Sequence, residues 1–197
     1  MQRYALNMFS EQVQSSRATQ KEATRNKVLD TAYALFVSVG YADTNVRAIA
    51  QKANVSVGTV MSVGSKQSLL VQTIGHRITV MHDELRGQSD NLLDVLAPFL
   101  KMFTGQEELS KAYGAALITQ GSNGEILNEL RTLLVDEIVL RLGNMLPKDD
   151  AREFATILYN IYLGLLLGWA AGAYDTDELS IHANSSISRL KIAYGVK

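Results

Sequence analysis

Apolar residues recur at helical spacing along most of this chain, and almost nowhere do they alternate as a strand requires. Val28, Ala32, Leu35, Phe36 and Val39 share one face of a helix predicted from about residue 18, with Gly40 placed for a left-handed C-terminal cap. Asp43 or Thr44 is the expected N-cap of a short second helix burying Val46, Ile49, Ala50 and Ala53. Asn54-Val55 breaks it, Ser56 caps a third short helix from Val57 to Val63, and Gly64 stops that one. Ser65 then caps a longer helix carrying Leu69, Leu70, Ile74, Ile78, Met81 and Leu85 toward Gly87.

Beyond Gly87-Gln88-Ser89 the helices become longer and more apolar. One carries Leu92, Leu93, Leu96, Phe99, Leu100 and Phe103, with Pro98 as a kink or late start. Glu108–Gln120 forms the next, bounded by Gly121-Ser122-Asn123-Gly124, and Glu125–Leu146 follows, ended by Pro147. Asp149 or Asp150 caps an apolar helix, and Thr176 or Asp177 opens the last, through Ile181, Ile187, Leu190 and Ile192. The expectation is an all-α fold of about nine helices. Residues 1–16 read as a flexible or loosely helical tail, 17–75 as one domain and 76–197 as a second.

Phe154–Tyr174 holds no charge over 21 residues, enough to cross a bilayer. Gly164, Gly168 and Gly172 stand four apart, the spacing that lets helices approach closely. No Lys/Arg cluster flanks the segment to set an orientation, and Thr156, Asn160 and the glycines lower its hydropathy. A soluble helix covered on one side by its own core and on the other by a second subunit is the favoured reading, with a membrane anchor as the alternative.

The net charge of −1 hides an asymmetry: residues 1–75 carry eight Lys/Arg against four acids, residues 76–197 eleven against sixteen. A basic first third suggests a polyanionic partner for that part. With no cysteine in the chain, disulfides, thiolate nucleophiles and Cys-type metal sites are excluded, in keeping with a reducing, cytoplasmic setting. His76, His82 and His182 match no metal or catalytic spacing, and His82-Asp83-Glu84 reads as the exposed side of the fourth helix. Neither a phosphate-cradling glycine loop nor His-Glu-x-x-His nor Gly-x-Ser-x-Gly is found. No catalytic residue, metal ligand or cofactor is expected, and no enzyme.

Residues 46–65, VRAIAQKANVSVGTVMSVGS, meet the demands of a helix-turn-helix. Two steeply crossing helices need a small residue at their contact (Ala50), a turn residue that tolerates positive φ (Asn54) and apolar pins (Ile49, Ala53, Val55, Val60, Val63). The presented helix has no Arg, Lys, Asn or Gln between Ser56 and Val63, hence no bidentate reader of a base. Ser56, Thr59 and Ser62 offer single hydrogen bonds, Val57 a thymine-methyl contact, and Gly58 either close backbone approach or plain helix packing. Phosphate-binding charge comes from its surroundings: Arg17, Lys21, Arg25 and Lys27 on the first helix, Arg47 on the second, Lys66 on the fourth.

The run Thr44-x-Val46, Ile49-Ala50, Ala53-x-Val55-Ser56, Gly58-Thr59, Ser65-Lys66, Leu69-Leu70, preceded by Ala32, Leu35, Phe36 and Gly40, resembles the DNA-binding domain of the TetR (tetracycline-repressor-like) family. The resemblance covers about residues 25–70. The chain departs from the usual Gly-Thr-x-Tyr-x-x-Phe: Met61 replaces the tyrosine that typically touches phosphate, the following aromatic is missing, and the segment is one residue short.

The resemblance implies an N-terminal three-helix helix-turn-helix domain joined to a C-terminal helical bundle that binds ligand and dimerises. It implies contact with a double-stranded DNA operator through Lys21, Arg25, Thr44, Arg47, Ser56, Val57, Gly58, Thr59, Met61, Ser62 and Lys66. A small, apolar effector would lie among Phe99, Met102, Phe103, Tyr113, Met145, Tyr159, Tyr162 and Trp169, any of which could equally be core. A homodimer would meet through Gly164, Leu165, Gly168, Ile187 and Leu190. The implied function is a ligand-responsive regulator, a repressor released by its effector; a scaffold without sequence-specific DNA binding is the other reading.

Overall fold

A chain with two prolines and this periodicity leaves helix as the cheapest way to pair its backbone groups, and the computed structural model bears this out. It describes residues 2–86, 92–119, 124–143 and 145–196. Among these, nine helices and no strand are found. They are α1 (Gln2–Ser38), α2 (Val46–Ala53), α3 (Val57–Val63), α4 (Lys66–Leu85), α5 (Leu92–Thr104), α6 (Glu107–Thr119), α7 (Gly124–Leu142), α8 (Lys148–Ala170) and α9 (Thr176–Tyr194). Gly87–Ser89 and the turn residues 121–123 lie outside the described residues. The chain divides into a unit of Met1–Thr73 and a unit of Ile74–Lys197.

In the first unit α1 begins far upstream of residue 18, so the backbone of residues 2–16 is helical and continuous with the rest of the helix. Val28, Leu29, Ala32, Leu35 and Phe36 are buried, but Val39 falls past the helix end and is exposed. Gly40 has φ +94, as a left-handed cap requires. Neither Asp43 nor Thr44 caps α2: Asn45 does, its side chain accepting from the Ala48 amide at 3.0 Å. Asp43 stands too early, and the Thr44 hydroxyl is turned inward to donate to the Gly40 carbonyl at 2.7 Å.

Asn54 closes α2 in the left-handed region (φ 52, ψ 51), and the Val55 amide donates back to the Ala50 carbonyl at 3.0 Å. That reversal starts α3, whose Ser56 cap accepts from the Thr59 amide at 3.0 Å. Ile49, Ala50, Ala53 and Val60 are buried together with Leu69, Leu70 and Val71 of α4.

In the second unit α8 packs against α6, α7 and α9. The helix ends at Ala170, with Gly172 at φ +78 behind it, so the uncharged run from Phe154 to Tyr174 is not one rod. Charged Asp149, Asp150, Arg152 and Glu153 occupy its first two turns. Among the described residues α8 is the one helix long and apolar enough to cross a membrane by length and composition, and 28% of its apolar stretch is buried within the chain. Its N-cap is Pro147 without a side-chain bond, rather than Asp149 or Asp150, which lie in the first turn. Gly143, at φ +52, ends α7 before Pro147 is reached. The last helix is opened by an Asp175–Glu178 capping box.

Asn54 supplies the turn's positive φ at less cost than a residue with an aliphatic Cβ. Asn54→Ala is expected to destabilise the first unit by about 1 kcal/mol, and Asn54→Gly to change it by a few tenths. Thermal unfolding of the two variants beside the parent chain checks this, a drop of several degrees being expected for alanine alone.

Candidate nucleic-acid interface and ligand cavity

Helix α3 has seven residues, too few to be stable alone, and it is held at three places. Val60 is fully buried, Ser56 caps the start, and at the far end the Gln72 amide donates to the Val63 carbonyl at 3.2 Å and to the Ser68 hydroxyl at 3.0 Å. The Gln72 carbonyl oxygen accepts from the Arg25 guanidinium at 2.8 Å, joining α1, α3 and α4 through one side chain. Gly64 fits the same corner because a Cβ there would stand 2.8 Å from the Ser68 hydroxyl. The corner after α3 is thus closed by a close approach of backbone at Gly64 and by the Gln72 side chain.

What α3 turns outward is Ser56, Val57, Gly58, Met61 and Ser62, with Thr59 half-buried. Its hydroxyls are engaged within the helix: Ser56 pairs with Thr59 at 2.9 Å, and Ser62 donates to the Thr59 carbonyl at 2.7 Å. Val57 and Met61 therefore form the uncommitted part of the face, 44% and 53% exposed. A Cβ on Gly58 would meet nothing nearer than the Ser56 hydroxyl at 3.6 Å, so packing does not require glycine there.

Beside α3, a cleft is lined by Arg17, Lys21 and Arg25 of α1 and by Thr59, Ser62 and Val63. Lys21 is exposed; Arg25 is partly committed to Gln72 and to Glu22, 3.5 Å away. Arg47 is exposed on α2. Two of the residues expected at DNA have partners within the chain. Thr44 is buried with its hydroxyl satisfied. The Lys66 ammonium donates to the Ala42 carbonyl at 3.0 Å and lies 4.5 Å above the Tyr41 ring, pinning the α1–α2 corner to the start of α4.

In the second unit a cavity lies among α4, α5, α6, α7 and α8. Phe99, Phe103, Tyr113, Tyr159, Tyr162 and Trp169 line it as expected, whereas Met102 does not and Met145 is half-exposed elsewhere. The walls also include leucines of α7 and α8, such as Leu130, Leu134, Leu163 and Leu166, which periodicity alone cannot separate from core.

His82 overturns its reading as a solvent-facing residue. It is buried, its ring centred 4.4 Å from the Phe99 ring and tilted 34° to it, and part of the cavity wall. The signal was present in the stripe Ile74, Ile78, His82, spaced four residues apart, which continues the buried face of α4. Burial pushes its pKa down to about 4, against the opposing pull of Glu137 and Asp83. Behind it the buried Glu137–Arg141 pair closes at 2.9 Å, and Arg141 donates to the carbonyl of Leu85, the last residue of α4, at 3.0 Å.

The expected dimer contacts divide. Ile187 and Leu190 are buried within the chain, and the notch at Gly168 is filled by Tyr174, whose hydroxyl would stand 2.5 Å from an added Cβ and donates to the Leu165 carbonyl. Leu165 is half-buried, and Gly164 is exposed with open space before it.

An imidazole kept neutral by burial makes stability pH-dependent. The unfolded side chain, with a pKa of about 6.5, takes up a proton that the folded one refuses, so stability falls as pH drops from about 6.5 toward 4. Urea unfolding of the protein is expected to show about 2–3 kcal/mol less stability at pH 4.5 than at pH 7 from this group, and His82→Leu to remove that part of the difference.

With this geometry in view, comparison with known proteins is direct. Residues 28–72 match the family described as bacterial regulatory proteins, tetR family. The chain is 24% identical over 172 residues to the HTH-type transcriptional repressor KstR of Mycobacterium tuberculosis, covering 79% of this chain and 75% of that protein. A TetR transcriptional regulator from Rhodococcus sp. RHA1 shares the fold with a TM-score of 0.70 at 16% identity, over 86% of this chain and 96% of the other. So does FadR of Thermus thermophilus, a TetR-family repressor solved with lauroyl-CoA, with a TM-score of 0.61 at 20% identity over 81% and 91%. The pinned α2–turn–α3 pair thus lies within the segment, residues 28–72, that matches the tetR family of bacterial regulatory proteins, and the chain shares the fold of solved TetR regulators over most of its length.

Proposed function

We propose that the protein is a cytoplasmic transcriptional repressor that binds operator DNA as a homodimer and releases it when a small apolar molecule enters the cavity of the second unit. The observation that carries this reading is α3: a short helix capped, pinned and presented, with Val57, Gly58 and Met61 outward beside the basic cleft at Arg17 and Lys21. Lys21 and Arg17 supply phosphate contact, and α3 reads the groove by backbone approach at Gly58, by apolar contact, and by DNA shape. The relatives named as repressors support the repressor role, and the lauroyl-CoA bound by Thermus FadR supports an apolar effector.

Helix α4 is the natural transmitter. Leu69, Leu70 and Val71 anchor its first half in the core of the first unit, while Ile78 and His82 form cavity wall further along the same helix. An effector that displaces His82 from Phe99 shifts α4 and with it the separation of two α3 helices in a dimer, which must match groove positions about 34–36 Å apart or a multiple. Dimerisation uses the exposed side of α8 at Gly164. That the three hydroxyls of α3 are already engaged favours one other reading, a TetR-like scaffold without sequence-specific DNA binding.

Selection from random duplexes followed by gel-shift titration separates the two. A defined, roughly palindromic site supports the repressor, and failure to bind any duplex at low salt supports the scaffold. Gly58→Ala sharpens the test: an alanine inside α3 is expected to leave stability unchanged or raise it by up to about 1 kcal/mol, yet to weaken operator binding roughly tenfold. A variant that binds DNA as the parent does would remove close backbone approach at Gly58 from the mechanism.

A further inference from the structure

The cavity walls are hydrocarbon except at a few points, and most of those are already satisfied. The Ser110 hydroxyl donates to the Phe103 carbonyl at 2.8 Å, and the Trp169 indole N–H to the Thr176 hydroxyl at 3.2 Å. Three phenols are different. Tyr113 comes from α6, and Tyr159 and Tyr162, three positions apart, from one face of α8. None of their hydroxyls hydrogen-bonds to a described residue. Yet among the described residues no side-chain oxygen is both sealed off and without a partner, so these hydroxyls keep access to open space. Tyr113 and Tyr162 are 5% and 8% exposed, and the space they reach is the cavity they line.

We propose that Tyr113, Tyr159 and Tyr162 form a hydrogen-bond-donor site for the neutral carbonyl oxygen of an otherwise apolar ligand: a ketone, ester or thioester. This rests on the reading of the cavity as the effector site and names the chemistry of what enters it. A carbonyl oxygen accepts two hydrogen bonds, and a buried phenol without a partner gains most from such an acceptor. Burial raises the pKa of all three phenols, and the proximity of the hydroxyls raises those of Tyr113 and Tyr162 further, so each stays a protonated donor at any physiological pH.

Among the residues that line the cavity no Lys, Arg, Asp or Glu balances a charge on the ligand, and Arg131, which acts electrostatically on Tyr159, is exposed outside the lining. His82 is neutral near pH 7, and the Arg141 guanidinium is held by Glu137 and the Leu85 carbonyl. A carboxylate buried there would lack a cation, and an ammonium would lack an anion. The neutral acceptor is what remains.

Trp169, the single tryptophan of the chain, stands in the cavity wall and reports binding without a label. Its fluorescence is to be followed while the full chain is titrated at pH 7.5 with 2-octanone, octane and octanoate. The ketone is expected to bind about tenfold more tightly than either of the others. In Tyr113→Phe/Tyr162→Phe, which keeps the ring volumes, that preference is expected to vanish while octane binding persists and certifies an intact cavity. Equal affinities for the three probes, tighter binding of octanoate, or an undiminished ketone preference in the double variant would overturn the donor site while leaving the effector cavity standing. No response to any probe would overturn the cavity reading itself, and the donor site with it.

Discussion

The face that α3 presents depends on how a helix of seven residues is kept in place. Helix α3 cannot repay the cost of its own nucleation, so its position is set by what it is tied to. The left-handed turn at Asn54 aims it, Val60 anchors it in the core, and Gln72 holds its last carbonyls. Each tie comes from a different source: local chain conformation, apolar burial, and a side chain from another helix. Val57, Gly58 and Met61 on the outward side take no part in these ties, and a Cβ on Gly58 would meet only the Ser56 hydroxyl at 3.6 Å.

The second unit shows the complementary design. Its cavity is bounded by tightly packed aromatic and leucine side chains, and the polar groups at its edge are neutral or internally paired. His82 joins the two themes. It is buried against Phe99 on α4, the helix whose first residues belong to the core that supports α3, and Arg141 holds the carbonyl end of that same helix.

What the sequence made legible was local. The Ser56 cap, the turn at Asn54 and the left-handed Gly40 follow from cap chemistry and backbone sterics and are found as read; of the apolar set given by period, Ile49, Ala50, Ala53 and Val60 are buried, while Val46, Val55 and Val63 are half-buried. Contacts distant in sequence were not legible. No local rule says that Tyr174 will fill the notch at Gly168, that Lys66 will sit on Tyr41, or that Gln72 will donate to the Val63 carbonyl. Caps were misplaced where several polar residues competed, as at Asp43, Thr44 and Asn45, because the choice turns on which side chain the core leaves free. Cavity aromatics were recognisable by type, while Met145 was not separable from them until its exposure was seen.

Contact between DNA and the outward face of α3 can be tested at one atom, because the chain holds no cysteine. Met61→Cys places a single thiol on that face, and Ile192→Cys, at a position 79% exposed on α9, serves as the reference. Their alkylation rates are to be measured with and without a short duplex at low salt. Contact through α3 predicts that DNA slows the reaction at position 61 roughly tenfold and leaves position 192 almost unchanged. Equal rates at position 61 with DNA bound would contradict the account.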